Sequence, residues 1–247
     1  MDISTVEADM ENVKFLPCGD SAVTVEFSRE ISEEVNRKIR FLAAELEREK
    51  IDGVTESIPT FRSITIFFNP LIVTKRKLVR YVKRVMRGYT QENARERRIF
   101  KIPVCYDGEY APDMSDVSEI TGLSKEEIID IHSSRDYLIY MLGFLPGFPY
   151  LGGMDERIEA PRLDSPRTAI GEGSVGIGGK QTGIYPLASP GGWRLIGRTP
   201  VRIYDPEREE PIFYRAGDYI RFVRISEEEF ESIRQNTAYS VECEVEK

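Results

Sequence analysis

The side chains best suited to binding chemistry gather in a glycine- and proline-rich stretch of the second half of the chain. There, cations, an amide and a phenol follow one another within a short distance, at Lys180, Gln181, Tyr185, Arg194 and Arg198. Cations and amide donors on glycine-rich turns suit a carboxylate or phosphate ligand. We interpret Lys180, Gln181, Tyr185 and Arg198 as candidate substrate-binding residues. The alternative is a solvated loop whose aromatic side chains pack locally.

His132 is the only histidine in the chain. Its unperturbed pKa lies near neutrality, so any histidine-dependent acid–base step must use it, and we take it as the candidate catalytic residue. It follows Ile128 by four residues, which places both on the same face of a predicted helix. A hydrogen-bonded core or interface histidine is therefore the competing interpretation. A complete Ser-His-Asp or Cys-His site cannot be assembled from the sequence.

Two glycine patterns resemble nucleotide-binding motifs without completing them. GEGSVG, from Gly171 to Gly176, fits G-x-G-x-x-G, but IGGKQTGIYP follows it instead of an amphipathic helix. Gly179 and Lys180 resemble the end of a P-loop, yet Gln181 stands where a magnesium-binding Ser or Thr belongs. Two roles stay open for these glycines: tight turns in a β domain, or backbone that a ligand approaches closely.

Composition narrows the possible partners. The 247-residue chain carries a net charge of −8, which disfavours nucleic acid and anionic membranes as partners. A local exception, Lys75 to Lys101, has eleven Lys and Arg residues and is either a solvated helix face or a docking patch for an acidic partner. The acidic start and the unpaired cysteines predict a cytoplasmic protein without disulfides, and a single histidine argues against zinc.

The elements that must position these residues fall into two predicted domains. In the first, 1–90, an alternating strand over residues 22–27 precedes a helix capped by Ser32. Strand-like VTESI and SITIFF follow, and then a basic helix near Thr74 to Arg87. This order predicts a small α+β layer domain. The polar segment 91–98 is the predicted linker.

The second predicted domain, 99–247, should be mostly β with short helices. It opens with the strand-like FKIPVCY, and Ser124 with Glu127 predicts a capping box for a helix that ends near His132. From residue 143 to 197 glycine and proline exclude long helices and favour short strands and tight turns. Ser226 and Glu229 predict a last short helix in the same way.

Three long strings together resemble one protein family. They are HSSRDYLIYMLGFLPGFPYLGGM, APRLDSPRTAIGEGSVGIGGKQTGIYP and SPGGWRLIGRTP, which begin at His132, Ala160 and Ser189. With shorter matches, the resemblance covers about residues 14–225. The family contains the B component of 5-oxoprolinase, KipI-type kinase inhibitors and allophanate hydrolase subunit 1, which share a carboxyltransferase C/D-type domain.

The resemblance implies a fold and a set of partners. The fold is α+β, with a small N-terminal α/β-layer domain followed by a C-terminal cyclophilin-like β-barrel. The expected partners are a companion subunit of the allophanate hydrolase subunit 2 or KipA type and a LamB/YcsF-like third subunit. In the assembled complex, ATP with Mg would drive the ring opening of 5-oxoproline to glutamate, and the chain alone would be inactive. No biotin attachment motif is visible.

The resemblance also carries motif residues onto this sequence, without individual roles: Gly143, Phe144, Pro146, Gly147, Phe148, Gly183, Pro186, Gly191, Gly192 and Trp193. Three other functions remain open. KipI-type relatives inhibit a histidine kinase, so the chain could be a binding module. It could also be an amidolyase or carboxyltransferase component of urea or allophanate metabolism. Prolyl isomerisation has only the analogy of fold behind it.

Overall fold

A computed structural model describes residues 12–90 and 97–246, and the chain divides into two compact units, 1–95 and 96–247. Most of the predicted linker, residues 91–96, lies outside the described residues. Its last two residues are not linker, because Arg97 and Arg98 begin a strand. Their charges are tolerated there because Arg97 pairs with Asp136 and Glu246, and Arg98 pairs with Asp218.

The first unit is a sheet with two helices. Its elements are β1 (Lys14–Pro17), β2 (Ala22–Glu26), α1 (Glu33–Glu49), β3 (Val54–Pro59), β4 (Ser63–Phe68) and α2 (Lys75–Met86). The strands pair antiparallel in the order β1-β2-β4-β3. Both predicted helix starts are confirmed, since the side chains of Ser32 and Thr74 accept hydrogen bonds from the first turns of α1 and α2.

The core of the first unit follows from alternation in its central strands. Val23 and Val25 of β2, with Ile64 and Ile66 of β4, are fully buried. They form one cluster with the apolar stripes of both helices. A strand with a period of two residues buries one face, and a helix with a period of 3.6 residues buries one stripe. The predicted α+β layer is therefore observed.

The second unit contains most of the strands. Its elements are β5 (Arg97–Val104), α3 (Met114–Thr121), α4 (Lys125–Ser133), β6 (Asp136–Leu142), β7 (Pro149–Gly152), β8 (Arg167–Ile170), β9 (Ser174–Gly178), β10 (Gln181–Ile184), β11 (Ser189–Gly191), β12 (Arg194–Arg198), β13 (Tyr219–Arg224), α5 (Glu227–Gln235) and β14 (Glu242–Glu246). Short 3-10 turns occur at Gly108–Tyr110 and Glu156–Ile158. The predicted capping boxes at Ser124 and Ser226 are both present.

These strands form a curled sheet. Eight of them pair in the order β12-β9-β10-β7-β6-β13-β5-β14, and β8 pairs with β11 in a separate ribbon. Cys105, just after β5, and Arg198, at the end of β12, exchange two backbone hydrogen bonds of 2.9 Å. The bridge links β12 to the β5 end of the sheet, which therefore curls around its buried side chains. Its likeness to cyclophilin stays a prediction.

The described residues contain no helix long and apolar enough to cross a membrane. Among the described α-helices, α3 is the one that the sequence did not predict. Asp113 precedes it, but its carboxylate does not cap the helix and instead binds Arg167 and the backbone of Leu195.

Candidate functional site

The glycines of β9 and β10 line the outer face of the curled sheet. Val175 and Ile177 of β9 point into the core cluster, so Gly176 and Gly178 face outward. A Cβ on Gly178 would lie 2.4 Å from the indole ring of Trp193, and one on Gly183 would lie 3.1 Å from the same ring. The glycines are therefore needed to let Trp193 lie flat against the outside of the sheet.

This geometry gives the glycines two structural uses, tight turns and close packing against Trp193. Gly173 and Gly179 have φ values of +80° and +64° and make turns, while Gly176, Gly178 and Gly183 make room for Trp193. The segment joins two hairpin strands and does not lead into a helix. It therefore lacks the strand-to-helix context in which such glycines bind phosphates.

Four aromatic residues from separate parts of the sequence meet on this outer face, and we call them the aromatic cluster. Phe148 contacts Tyr185, Trp193 and Phe144 edge to face, with ring centroids 5.4, 5.6 and 5.6 Å apart. Ile170 and Leu195 complete the buried part of the cluster. Edge-to-face packing of this kind fixes ring orientation as well as burying apolar area. The structure thus brings together the two halves of the predicted motif set.

Phe144 forms the exposed edge of the aromatic cluster. Its ring is 62% exposed, and its φ of +64° lies in the left-handed region that is unfavourable for a residue with a Cβ. The loop is held by a hydrogen bond from the Tyr214 hydroxyl to the Gly147 carbonyl, at 2.8 Å. A strained backbone that presents an apolar ring to solvent is a feature of binding loops, at a cost of about 1–3 kcal/mol.

Tyr185 brings a hydroxyl to the aromatic cluster, and its side chain is buried. Burial raises the pKa of Tyr185 above its usual value. A hydrogen bond with the backbone of Trp193 lowers that pKa, and so do the positive charges of Arg162 and Arg167. The hydroxyl is therefore a neutral donor placed within the field of two cations.

His132 lies in the core of the second unit. It is fully buried, and its Nδ1 and Nε2 lie 2.8 Å from the Tyr106 hydroxyl and from Thr182 Oγ1. Its ring stacks on Phe222, with centroids 4.4 Å apart. Burial lowers the pKa of His132 to about 3. A neutral, doubly hydrogen-bonded ring without solvent access supports the core-histidine interpretation over an acid–base role.

The other three predicted ligand-binding residues make no polar contact with the aromatic cluster among the described residues. Lys180 is exposed and pairs with Glu159 at 3.4 Å. Arg198 donates from Nε to the Glu172 carbonyl at 2.9 Å, which holds the turn before β9. Gln181 begins β10. Of the four candidate substrate-binding residues, only Tyr185 contributes to the cluster, and the ligand-binding roles of the other three stay predictions.

Arg162 and Arg167 are not among the residues predicted from the sequence to bind a ligand. Both occur in a string that carries the family resemblance, but nothing in their spacing marks them. Arg167 reaches the site because β8 pairs with β11, which sets it opposite Gly191. Arg162 places its guanidinium 5.8 Å from the centre of the Trp193 ring. Among residues 12–90 and 97–246, no cluster of His, Cys, Asp or Glu is arranged to hold a metal ion.

Comparison with known proteins gives one family and several relatives. Residues 13–214 match the family model described as "Carboxyltransferase domain, subdomain C and D". The chain is 44% identical over 229 residues to the B component of the 5-oxoprolinase of Bacillus subtilis, covering 89% of this chain and 95% of that protein. It is 26% identical to the urea amidolyase of Saccharomyces cerevisiae, covering 94% of this chain and 14% of that one.

A solved structure shares this architecture. The crystal structure of TTHA0988 superposes with a TM-score of 0.74 at 38% identity, and the match covers 83% of this chain. The chain spans only 40% of the TTHA0988 chain. The same domain can thus form one part of a longer polypeptide.

Proposed function

The chain belongs to the carboxyltransferase family with subdomains C and D, and we propose that it is the B component of an ATP-dependent 5-oxoprolinase. The observation that carries this proposal is the 44% identity to a 5-oxoprolinase component along nearly the full length of both chains. The urea amidolyase is only 26% identical, and the match covers just 14% of its length. It is therefore a weaker guide to the function of this chain.

The proposed reaction opens the ring amide of 5-oxoproline to give glutamate. A ring amide is resonance-stabilised and a poor electrophile, so its hydrolysis is coupled to ATP: one ATP and two waters give one glutamate, one ADP and one phosphate. We assign ATP and Mg to the assembled complex.

The proposed partner is a companion subunit of the allophanate hydrolase subunit 2 or KipA type, with a LamB/YcsF-like third subunit. TTHA0988 supports this arrangement, because a domain like this one makes up only part of its longer chain. A covalent neighbour in one protein can be a separate subunit in another. We place the complex in the cytoplasm.

Within this chain, the aromatic cluster is the proposed contact surface for the substrate. Phe144 offers an exposed apolar ring and the buried Tyr185 adds a hydroxyl, and both rings pack edge to face on Phe148. A small polar ring compound needs both. His132 supports this surface from within, because Thr182, its hydrogen-bond partner, precedes Gly183 in β10.

Reconstitution tests the proposal. The chain, the companion subunit and the third subunit are mixed, and ADP release is measured with and without 5-oxoproline while each subunit is left out in turn. We expect 5-oxoproline-dependent ADP release only from the complete mixture. If omitting this chain from an assembled, active mixture changes nothing, it is not a subunit of the enzyme, and inhibition of a histidine kinase becomes the function to test.

A further inference from the structure

The backbone of Arg167 and the hydroxyl of Tyr185 both lie next to Gly191. Arg167 pairs with Gly191 across the ribbon of β8 and β11. A Cβ added to Gly191 would lie 2.6 Å from the hydroxyl oxygen of Tyr185. A side chain at position 191 would therefore collide with the hydroxyl.

The hydrogen bonds of Arg167 leave part of its guanidinium unused. Nη2 donates to Asp113 Oδ1 at 2.6 Å, and Asp113 Oδ2 accepts from the Leu195 backbone N–H at 2.6 Å. This arrangement fixes the position of the guanidinium. Nη1 of Arg167 and Oγ of Ser189, also in the ribbon, are buried and have no hydrogen-bond partner among the described residues. Leaving a buried polar group unpaired costs about 1–3 kcal/mol, so such groups call for a ligand that satisfies them.

Arg162 adds a second cation near Tyr185. Its guanidinium lies over the Trp193 ring, 5.8 Å from the ring centre. The segment that carries it is fixed by a hydrogen bond of 2.7 Å from the Leu163 backbone N–H to the Gly192 carbonyl. Both arginines act on the pKa of Tyr185 in the direction expected of nearby positive charge.

We propose that Arg162, Arg167 and Tyr185 form a carboxylate-binding subsite, with the ring of the bound molecule against the aromatic cluster. Guanidinium groups bind carboxylates through strong paired hydrogen bonds, and a neutral phenol adds a further donor. The apolar rings of the aromatic cluster, with the two cations near Tyr185, suit a small ring compound that bears a carboxylate. The identity of that molecule as 5-oxoproline rests on the proposed function.

The single tryptophan of the chain provides a direct probe, because Trp193 lies within the subsite. Its emission is followed while the full-length chain is titrated with 5-oxoproline or with pyrrolidin-2-one, the same lactam without a carboxylate. We expect saturable binding of 5-oxoproline at least about tenfold tighter than that of pyrrolidin-2-one, as expected for a charge-assisted contact.

Arg162→Gln should weaken 5-oxoproline binding by about tenfold and leave the binding of pyrrolidin-2-one unchanged. Arg162 is exposed, so its replacement should not disturb folding. Arg202→Gln is the matched control: it removes an exposed arginine of the same unit whose partners are Glu172 and Asp205, and it should bind both lactams like the wild type.

The outcomes separate this subsite from the proposed function. Equal affinity for both lactams, no saturable change in emission, or an unchanged affinity in Arg162→Gln overturns the subsite. If the reconstituted complex turns over 5-oxoproline and Arg162→Gln leaves KM unaltered, the subsite is wrong and the enzyme assignment stands. Arg162-dependent binding without turnover in any mixture supports the subsite and contradicts the assignment.

Discussion

Nε2 of His132 lies 2.8 Å from Oγ1 of Thr182, and that hydroxyl donates its own proton to the Gly176 carbonyl at 3.1 Å. Because the hydroxyl proton is already used, Thr182 must accept a hydrogen bond from Nε2–H. Nδ1 is then unprotonated and accepts from the Tyr106 hydroxyl. These hydrogen bonds thus fix His132, in the core of the second unit, as the neutral tautomer with the proton on Nε2.

Stability should therefore fall as the pH is lowered through the titration range of an unfolded histidine. The pKa of His132 is about 3 in the folded chain and near 6.5 in the unfolded chain, so between these values only the unfolded chain binds the proton. From pH 6 to pH 5 this should remove about 1 kcal/mol from the free energy of unfolding. Urea unfolding at the two pH values measures it.

The contribution of His132 is isolated by comparing variants. His132→Gln cannot titrate, so its loss of stability between pH 6 and pH 5 should be smaller than that of the wild type by about 1 kcal/mol. Thr182→Ser keeps the hydroxyl acceptor and should keep the wild-type pH dependence. The same pH dependence in His132→Gln and the wild type would show that the folded histidine titrates normally.

A second prediction concerns the packing of Trp193. In Gly178→Ala the new Cβ would overlap the indole ring, which must move outward toward water. We expect a red shift of the tryptophan emission and a loss of about 1–3 kcal/mol in the free energy of unfolding, as for other overpacked sites.

The neighbouring glycine supplies the control for this change. Gly179 has a φ of +64°, and a Cβ there would meet nothing within 4 Å. Gly179→Ala should therefore cost about 1–2 kcal/mol through backbone strain and leave the emission maximum of Trp193 in place. An unshifted emission in Gly178→Ala would mean that the indole does not lie against β9.

A third prediction concerns assembly through helix α2. Exposed basic residues recur at helical spacing at Arg76, Arg80 and Lys83 of α2 and at Arg87, which directly follows the helix. Such a stripe on a chain of net charge −8 suits an acidic surface of a partner subunit. The double variant Arg76→Glu/Arg80→Glu should weaken binding of the companion subunit by about tenfold or more at low salt.

Affinity between the purified subunits, measured at low and high salt, checks this prediction. Arg29→Glu changes the charge of another exposed arginine in the same unit and should have little effect. Added salt should weaken wild-type binding and reduce the difference between the wild type and the double variant. A complex of unchanged affinity would leave the α2 stripe as a solvated helix face.

Local signals in the sequence predicted the elements well. Ser124 and Glu127 marked the start of α4 because both halves of a capping box lie within four residues. The alternation in SITIFF marked β4 because one face of that strand is buried. The start of α3 was missed because no side chain caps it. The carboxylate of Asp113 instead accepts hydrogen bonds from Arg167 and Leu195, which are distant in the sequence.

The candidate site was harder to predict because register and packing create it. Tyr185 was found from its polar, glycine-rich surroundings. Arg167 could not be found in that way, since only the pairing of β8 with β11 sets it opposite Gly191. From the sequence, the outward glycines were equally consistent with a ligand-binding backbone. Trp193, which packs against Gly178 and Gly183, is ten or more residues further along the chain, so this contact could not be predicted.

Glutamate formation is the most direct measurement of the central proposal. The complete subunit mixture is incubated with ATP and 5-oxoproline, and glutamate and ADP are quantified with this chain present or omitted. We predict equal amounts of glutamate and ADP when the chain is present and neither product above background when it is omitted. Glutamate formed at the same rate without the chain would contradict its role as a component of a 5-oxoprolinase.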